Sequence, residues 1–241
     1  MKFNNETYAN KIQFNWLDKL VDSFVVKKRN DMWKNVVNSN DTLNYLELNN
    51  VKNCLDVGTT SDEHYESSNF FLRKLPRNVE ISTFSNQKIS NFFKVDFPPI
   101  FKSYEGSICS QLKIEEKFNL VICSATLEHV GSFENQKLAI ANLIELTDKY
   151  LFITVPNRWH PIEFHSRLPL VHWLPKKVWR KIFRQFRSLE NLSIEDNLNF
   201  ISPKIIKAII LENRLVKEVK VHRTSLFGFN SNFAILVIVD N

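Results

Sequence analysis

Glycine is scarce in this 241-residue chain, with four in all. None of them fall in the G-x-G-x-x-G spacing that cradles a dinucleotide pyrophosphate, which weighs against a nicotinamide or flavin dinucleotide site. Cysteine is equally sparse. Cys54, Cys109 and Cys123 are odd in number, lack CxxC spacing, and lie within or beside apolar strand-like runs. They are therefore expected to be small buried hydrophobes in a reducing compartment rather than disulfides or zinc ligands. HExxH is also missing, and His160, Glu163 and His165 match no zinc signature, so no metal is expected. No run approaches the roughly 18 to 20 apolar residues of a membrane span, and the opening MKFNNETYANK lacks the apolar core of a signal peptide. The expected location is cytoplasmic. There is no internal repeat and no low-complexity tract.

What is present fits one α/β domain over residues 1–241, since 44% hydrophobic and 24% charged residues lie within ordinary globular ranges. The net charge of +6 is concentrated: 176–187, KKVWRKIFRQFR, holds six basic residues and no acidic one, and the rest of the chain balances at 26 Lys+Arg against 26 Asp+Glu. Val178, Trp179, Ile182, Phe183 and Phe186 fall on one face of that helix, with the charges on the other. Packing on the core, contact with an anionic membrane surface and guidance of an anionic substrate all suit this pattern. Nucleic acid has the same electrostatics but lacks an accompanying RNA or DNA module.

The stretch around which the chain is organised is CLDVGTTSDE, where an apolar strand, 51–57, ends in Asp56 and breaks at Gly58. A helix over 66–75 is expected to follow, its free N–H groups aimed at the same spot, and then a strand at 79–84. Upstream, residues 1–48 read as a helical cap. Leu17, Leu20, Val21 and Phe24 form one apolar cluster and Met32, Trp33, Val36 and Val37 a second, with a polar KKRND break between them. Arg29 in that break is the one residue there whose charge could face an anionic ligand. Further on, an irregular connection at 92–104 leads to a short strand at 106–112. Then come a buried strand at 118–124, an amphipathic helix at 133–146 and a strand at 150–155. Residues 156–200 read as an insertion containing a long irregular loop, 156–175, and the basic helix. A helix capped by Ser202 with Pro203 in its first turn follows, and two strands at 215–222 and 232–239 must pair antiparallel.

LDVGTT, the downstream FNLVICSATLEHV and the later YLFITVPNRWHPIEFHSRLPLVHWLP occur in the order and spacing of known motifs. Over 51–175 the chain resembles class I S-adenosylmethionine (SAM) dependent methyltransferases, with a type 11-like subgroup the nearest pattern. The resemblance implies a doubly wound, Rossmann-like, mostly parallel seven-stranded sheet with the last strand antiparallel. It also implies SAM as cofactor and a small-molecule or lipid-linked acceptor. Asp56 would hold the cofactor's amino group, Gly58, Thr59 and Thr60 would approach it through their backbone, and Ser110 and Gln111 would meet the adenine edge. Ser85 and Asn86, with Gln87, occupy the place where the family carries a ribose-binding carboxylate. Small Ser124 and Ala125 would leave room for the sulfonium and methyl group, with Glu128 beside them. His129, then His165, are the candidate general bases, although a Glu-His pair opening a helix can equally cap it. The missing ribose carboxylate and GTT in place of a second glycine leave a different reading open: a catalytically inactive cofactor-binding or scaffold protein of the same fold.

Overall fold

Near-continuous apolar runs let the central strands bury both faces. The computed structural model describes residues 16–37, 46–61, 65–89, 100–163, 165–166, 168–226 and 228–240. Its seven strands are β1 (Asn53–Val57), β2 (Glu80–Ser85), β3 (Ile100–Glu105), β4 (Phe118–Ser124), β5 (Thr147–Pro156), β6 (Val216–Leu226) and β7 (Phe229–Val239). They form one sheet in the order β3-β2-β1-β4-β5-β7-β6. The first five strands are parallel, and β7 runs antiparallel between β5 and β6. This is the doubly wound, mostly parallel sheet the sequence predicts. The strand order reverses between β1 and β4, and in open α/β sheets the crevice at the carboxyl ends of such strands is where ligands bind.

On one face Leu55, Val57, Val121, Cys123, Leu151 and Ile153 pack under α2 (Phe133–Glu145) and α4 (Pro203–Leu211). Both helices start where a serine hydroxyl can take an unpaired backbone N–H: Ser132 accepts from Asn135, and Ser202 accepts from Ile205. On the other face Cys54, Leu120, Ile122, Phe152 and Leu236 meet Met32, Trp33 and Val36 of α1 (Trp16–Val37). A third, smaller cluster holds Trp179 and Phe183 of α3 (Lys176–Arg184) against Leu198.

Several expectations need correction. The KKRND stretch does not interrupt α1, which runs unbroken from Trp16 to Val37; Lys and Arg are good helix formers, and a charged stretch on a half-covered helix needs no break. The second apolar cluster is the buried one, whereas Leu20 is exposed. No α-helix forms over 66–75. Turns lead into a short 3-10 segment, Leu72–Lys74, and Asn69 adopts a left-handed φ of 49°. Ser67, Ser68 and Asn69 bond local backbone readily and so favour turns over helix. The third strand lies at Ile100–Glu105 rather than at 106–112, and its mostly exposed side chains give it no apolar signature. Ile108 and Leu112 instead reach the core from the loop beyond it. Residues 92–99 of the expected irregular connection, and 1–15 and 38–45 of the expected cap, lie outside the described residues. The last two strands are longer than expected and join tightly at Gly228, whose φ is 80°.

The face under α1 is locked by aromatic rings. Phe71 packs edge-on to Phe152 with centroids 4.9 Å apart, and lies 5.3 Å from Phe70 and 5.7 Å from Trp33. Phe71→Ala is expected to lower the unfolding free energy by about 3 to 5 kcal/mol, from lost burial plus the cavity left behind. Urea denaturation followed by tryptophan fluorescence measures this, and a loss below about 1 kcal/mol would mean that the turn carrying Phe71 is not part of the core.

Candidate functional site

The exits of β1 and β4 are pinned to each other. Gly58 follows β1 with φ 90°, and its N–H donates to the Phe84 carbonyl at 2.8 Å. A Cβ at this position would lie 2.1 Å from Thr126 Oγ1. Thr126 in turn reaches the Val57 and Ser124 carbonyls at 3.2 and 3.1 Å. Ala125 takes a left-handed φ of 51°, which turns the chain sharply off β4. Only glycine suits the first position, but the space it leaves is occupied by Thr126 and not reserved for a ligand.

This ridge divides the crevice into two lobes. The larger, about 410 Å³, is lined by Ser85, Asn86, Gln87, Ile108, Cys109 and His129, among others. The smaller, about 250 Å³, is lined by Arg29, Asp56, Asn69, Phe71 and Ser124, among others. Val57, Gly58, Thr60 and Ala125 line both. Asn69 shapes the loop after β1 by pairing twice with the backbone of Thr60, accepting at 3.0 Å and donating at 2.7 Å.

The smaller lobe carries opposed charges. Asp56 is buried, and this burial raises its carboxyl to about 6, although the Thr59 hydroxyl at 2.6 Å and the Arg29 charge favour the ionised form. Burial likewise lowers Arg29, opposed by Glu128, Asp22 and Asp56, and its guanidinium donates to the Ser67 carbonyl. Next to it on α1, Lys28 is brought down to about 7 by burial and by Arg29.

Beyond β4 a short 3-10 segment, Leu127–His129, presents Glu128 inward and His129 outward. His129 Nδ1 donates to the Asn197 carbonyl, and its Nε2 lies 3.2 Å from His165 Nε2. The rings meet edge-on with centroids 4.9 Å apart. His165 Nδ1 contacts Glu163 Oε1 at 2.7 Å, and the same carboxylate accepts from the backbone N–H groups of His165 and Ser166. Burial would raise the Glu163 carboxyl, but the His165 ring and these backbone donors hold it at about 2; against its own desolvation, His165 is raised by Glu163. Residues 197–199 clamp this corner. Asn199 N–H donates to the Glu128 carbonyl and its amide to the Gly131 carbonyl, both at 2.7 Å.

Of the residues singled out in the sequence, Gly58, Thr59, Thr60, Ser85, Asn86, Ala125 and His129 line the larger lobe, and Asp56 and Ser124 line the smaller. Ser110 and Gln111 lie outside both linings. Because β3 ends at Glu105, the residues that its exit delivers to the cleft are Gly106 to Cys109, while Ser110 turns its hydroxyl back to the Ser107 carbonyl. Glu128 sits behind the cleft wall rather than in it. His165, 36 residues from His129, is brought against it, whereas His160 and His172 are tied into their own loop through the Ile162 and His160 carbonyls. The sequence offered no signal for Asn69 or for the 197–199 clamp, whose partners lie 68 residues away. Two charges of the basic helix are also committed: Lys176 and Arg180 both reach Glu195, and Trp179 and Phe183 are buried. Among the described residues no helix is long and apolar enough to cross a membrane.

No family model matches the chain, and no curated protein matches it in sequence. Solved structures do match it in fold. A SAM-dependent methyltransferase of Thermotoga maritima, described as a possible histamine N-methyltransferase, aligns with TM-score 0.59 at 12% identity, covering 98% of each chain. The N-methyltransferase NodS of Bradyrhizobium japonicum in complex with S-adenosylhomocysteine aligns with TM-score 0.56 at 11% identity, over 99% of this chain and 100% of that one. Magnesium protoporphyrin IX methyltransferase of Synechocystis gives 0.52 at 14%, over 98% and 92%. The fold is that of class I SAM-dependent methyltransferases.

Asp56 makes the ligand-free protein pH-sensitive in a defined direction. Its folded carboxyl titrates near 6 and its unfolded one near 3.8, so between those values the folded state binds more protons and stability falls as pH rises. The loss is on the order of 3 kcal/mol at neutral pH. Asp56→Asn is expected to flatten the melting-temperature profile between about pH 4 and pH 6. An unchanged slope in this variant would show that Asp56 is not the group responsible.

Proposed function

We propose that this protein is a SAM-dependent methyltransferase acting on a small-molecule acceptor. One observation carries the reading: a two-lobed crevice at the topological switch point, with polar groups matched in kind to the parts of SAM. In the smaller lobe Arg29 suits a carboxylate and Asp56 an ammonium group, the two ends of an amino acid. In the larger lobe the amides of Asn86 and Gln87 can bond a ribose diol, and Phe84, Ile108 and Cys109 offer an apolar seat for a base. The donor set therefore fits SAM even without the customary ribose carboxylate. The similarity in fold to methyltransferases crystallised with S-adenosylhomocysteine supports the same assignment.

When bound, SAM supplies a methyl group on a cationic sulfur. The protein's own task is alignment and exclusion of water, which can provide much of the rate for such a displacement. Ser124 and Ala125 keep the wall between the lobes small. An acceptor hydroxyl would lose its proton to an imidazole, His129 first and His165 second, since each Nδ1 is occupied and the two Nε2 atoms, which face each other, are the atoms left to accept it. The loop after β5 forms the acceptor side, where exposed Trp159 lies 6.3 Å from Trp173 and could stack on a flat acceptor.

Calorimetric titration is expected to give one SAM site of micromolar or tighter affinity, with S-adenosylhomocysteine competing. Arg29→Met should weaken it about 10- to 100-fold through loss of a charge-assisted contact. Binding of neither SAM nor NAD would favour an inert scaffold of the same fold, and selective NAD binding would overturn the proposal.

A further inference from the structure

The geometry points to a divalent cation site formed by Glu128, His129 and His165, where one carboxylate oxygen and two ring nitrogens lie within 4.8 Å of one another. Three observations on this corner agree. The first concerns the two imidazoles. His129 Nδ1 faces a backbone carbonyl and His165 Nδ1 faces a carboxylate, and because such oxygens only accept, both Nδ1 atoms carry hydrogen. In the neutral rings both Nε2 atoms are then bare lone pairs, yet they point at each other across 3.2 Å. Lone pairs so close repel unless a proton or a metal ion lies between them. Two nitrogens bound tetrahedrally at 2.0 to 2.1 Å are about 3.3 Å apart, which is the spacing found.

The second observation is Glu128. Its side chain is 1% exposed, and neither carboxylate oxygen has a hydrogen-bond partner among the described residues. A buried carboxylate without donors is costly unless it pairs with a charge or a metal, and here the Arg29 charge supplies part of that compensation without a hydrogen bond. The third is the outer layer. Ligating histidines usually donate their second ring N–H to a carboxylate or a carbonyl, which fixes the tautomer. Glu163 and the Asn197 carbonyl do this for the two rings, and Glu163 is itself fixed by the His165 and Ser166 N–H groups. Glu163 thus serves as a positioning residue, and His160 takes no part.

Two nitrogens and one oxygen suit Zn²⁺, Co²⁺ or Mn²⁺ better than Ca²⁺ or Mg²⁺. With three protein ligands, further coordination positions stay open. His129 lines the larger lobe, so those positions adjoin the cleft. Resting on the methyltransferase reading, this narrows the acceptor to molecules that bring an oxygen donor, such as a hydroxyl, next to the methyl group; with the cation bound both Nε2 atoms are ligands, so the imidazoles act as bases only in the metal-free protein.

The test uses the full chain stripped of metal with a chelator and titrated with Co²⁺, and separately with Zn²⁺, alone. One equivalent of Co²⁺ is expected to bind with visible absorption bands of low coordination number, and Zn²⁺ to displace it. His165→Ala should remove the bands and weaken Zn²⁺ binding more than 100-fold, and Glu163→Gln should weaken it by about 10- to 100-fold. Thermal melts confirm that each variant is folded; if His165→Ala does not fold, Glu163→Gln carries the comparison. Absence of a saturable one-equivalent site, or wild-type Co²⁺ bands in folded His165→Ala, would overturn the site, the former leaving a proton shared between the rings. Parallel SAM titration separates the two proposals, since cation binding without SAM binding would sink only the methyltransferase reading and the reverse only the cation site.

Discussion

The contact between Gly58 and Thr126 is the constraint from which the rest of the site follows. Parallel strands at a switch point diverge at their carboxyl ends and leave a crevice. Here a threonine from one exit fills the position that any side chain other than hydrogen would need on the other. The crevice is therefore bridged, and what would be a single groove becomes two compartments with different chemistry. The left-handed turn at Ala125 follows from the same bridge, because the chain must swing immediately to set Thr126 against Val57.

Buried charge is concentrated at this end of the sheet. Asp56, Glu128, Glu163, Lys28 and Arg29 come from four separate segments, and most are deprived of water. Such a grouping costs stability and is held only because hydrophobic burial elsewhere offsets it. The two sheet faces supply that burial: Phe152 and Trp33 on one, Ile140 and Ile210 on the other, are all nearly inaccessible. The opposite end of the strands has no comparable cluster of buried charge among the described residues.

Much of this was legible in sequence, for physical reasons. β1, β4 and β5 are buried on both faces, so they read as unbroken apolar runs, and α2 shows its stripe because one face alone is covered. Asp56, Gly58, Asn86, Ala125 and His129 are placed at the crevice by the sequence because strand ends mark where it must be, and they do line it. β3 was misplaced because an edge strand with exposed Phe101, Lys102 and Ser103 carries no such pattern; that error in turn put Ser110 and Gln111 where Ile108 and Cys109 belong. The helix expected over 66–75 failed against the local bonding habits of Ser67, Ser68 and Asn69. The pairing of His129 with His165, and the lack of a hydrogen-bond donor to the Glu128 carboxylate among the described residues, depend on how the loop after β5 folds back, which spacing along the chain does not encode.

That folding back bears on how such a protein can be altered. The segment between β5 and α4 looks like a detachable accessory, since its tryptophans and basic helix sit over the sheet without joining it. Its last residues nevertheless hold the corner after β4: the Asn197 carbonyl orients the His129 ring, and Asn199 bridges Glu128, Gly131 and Gln136 while accepting from Lys176. A graft that exchanged this segment for a relative's would thus transplant part of the chemical centre along with the acceptor cover. At its downstream end the practical boundary between scaffold and module lies ahead of Glu195, not at the start of α4, and at its upstream end Glu163 and His165 stay with the scaffold because they complete the same corner.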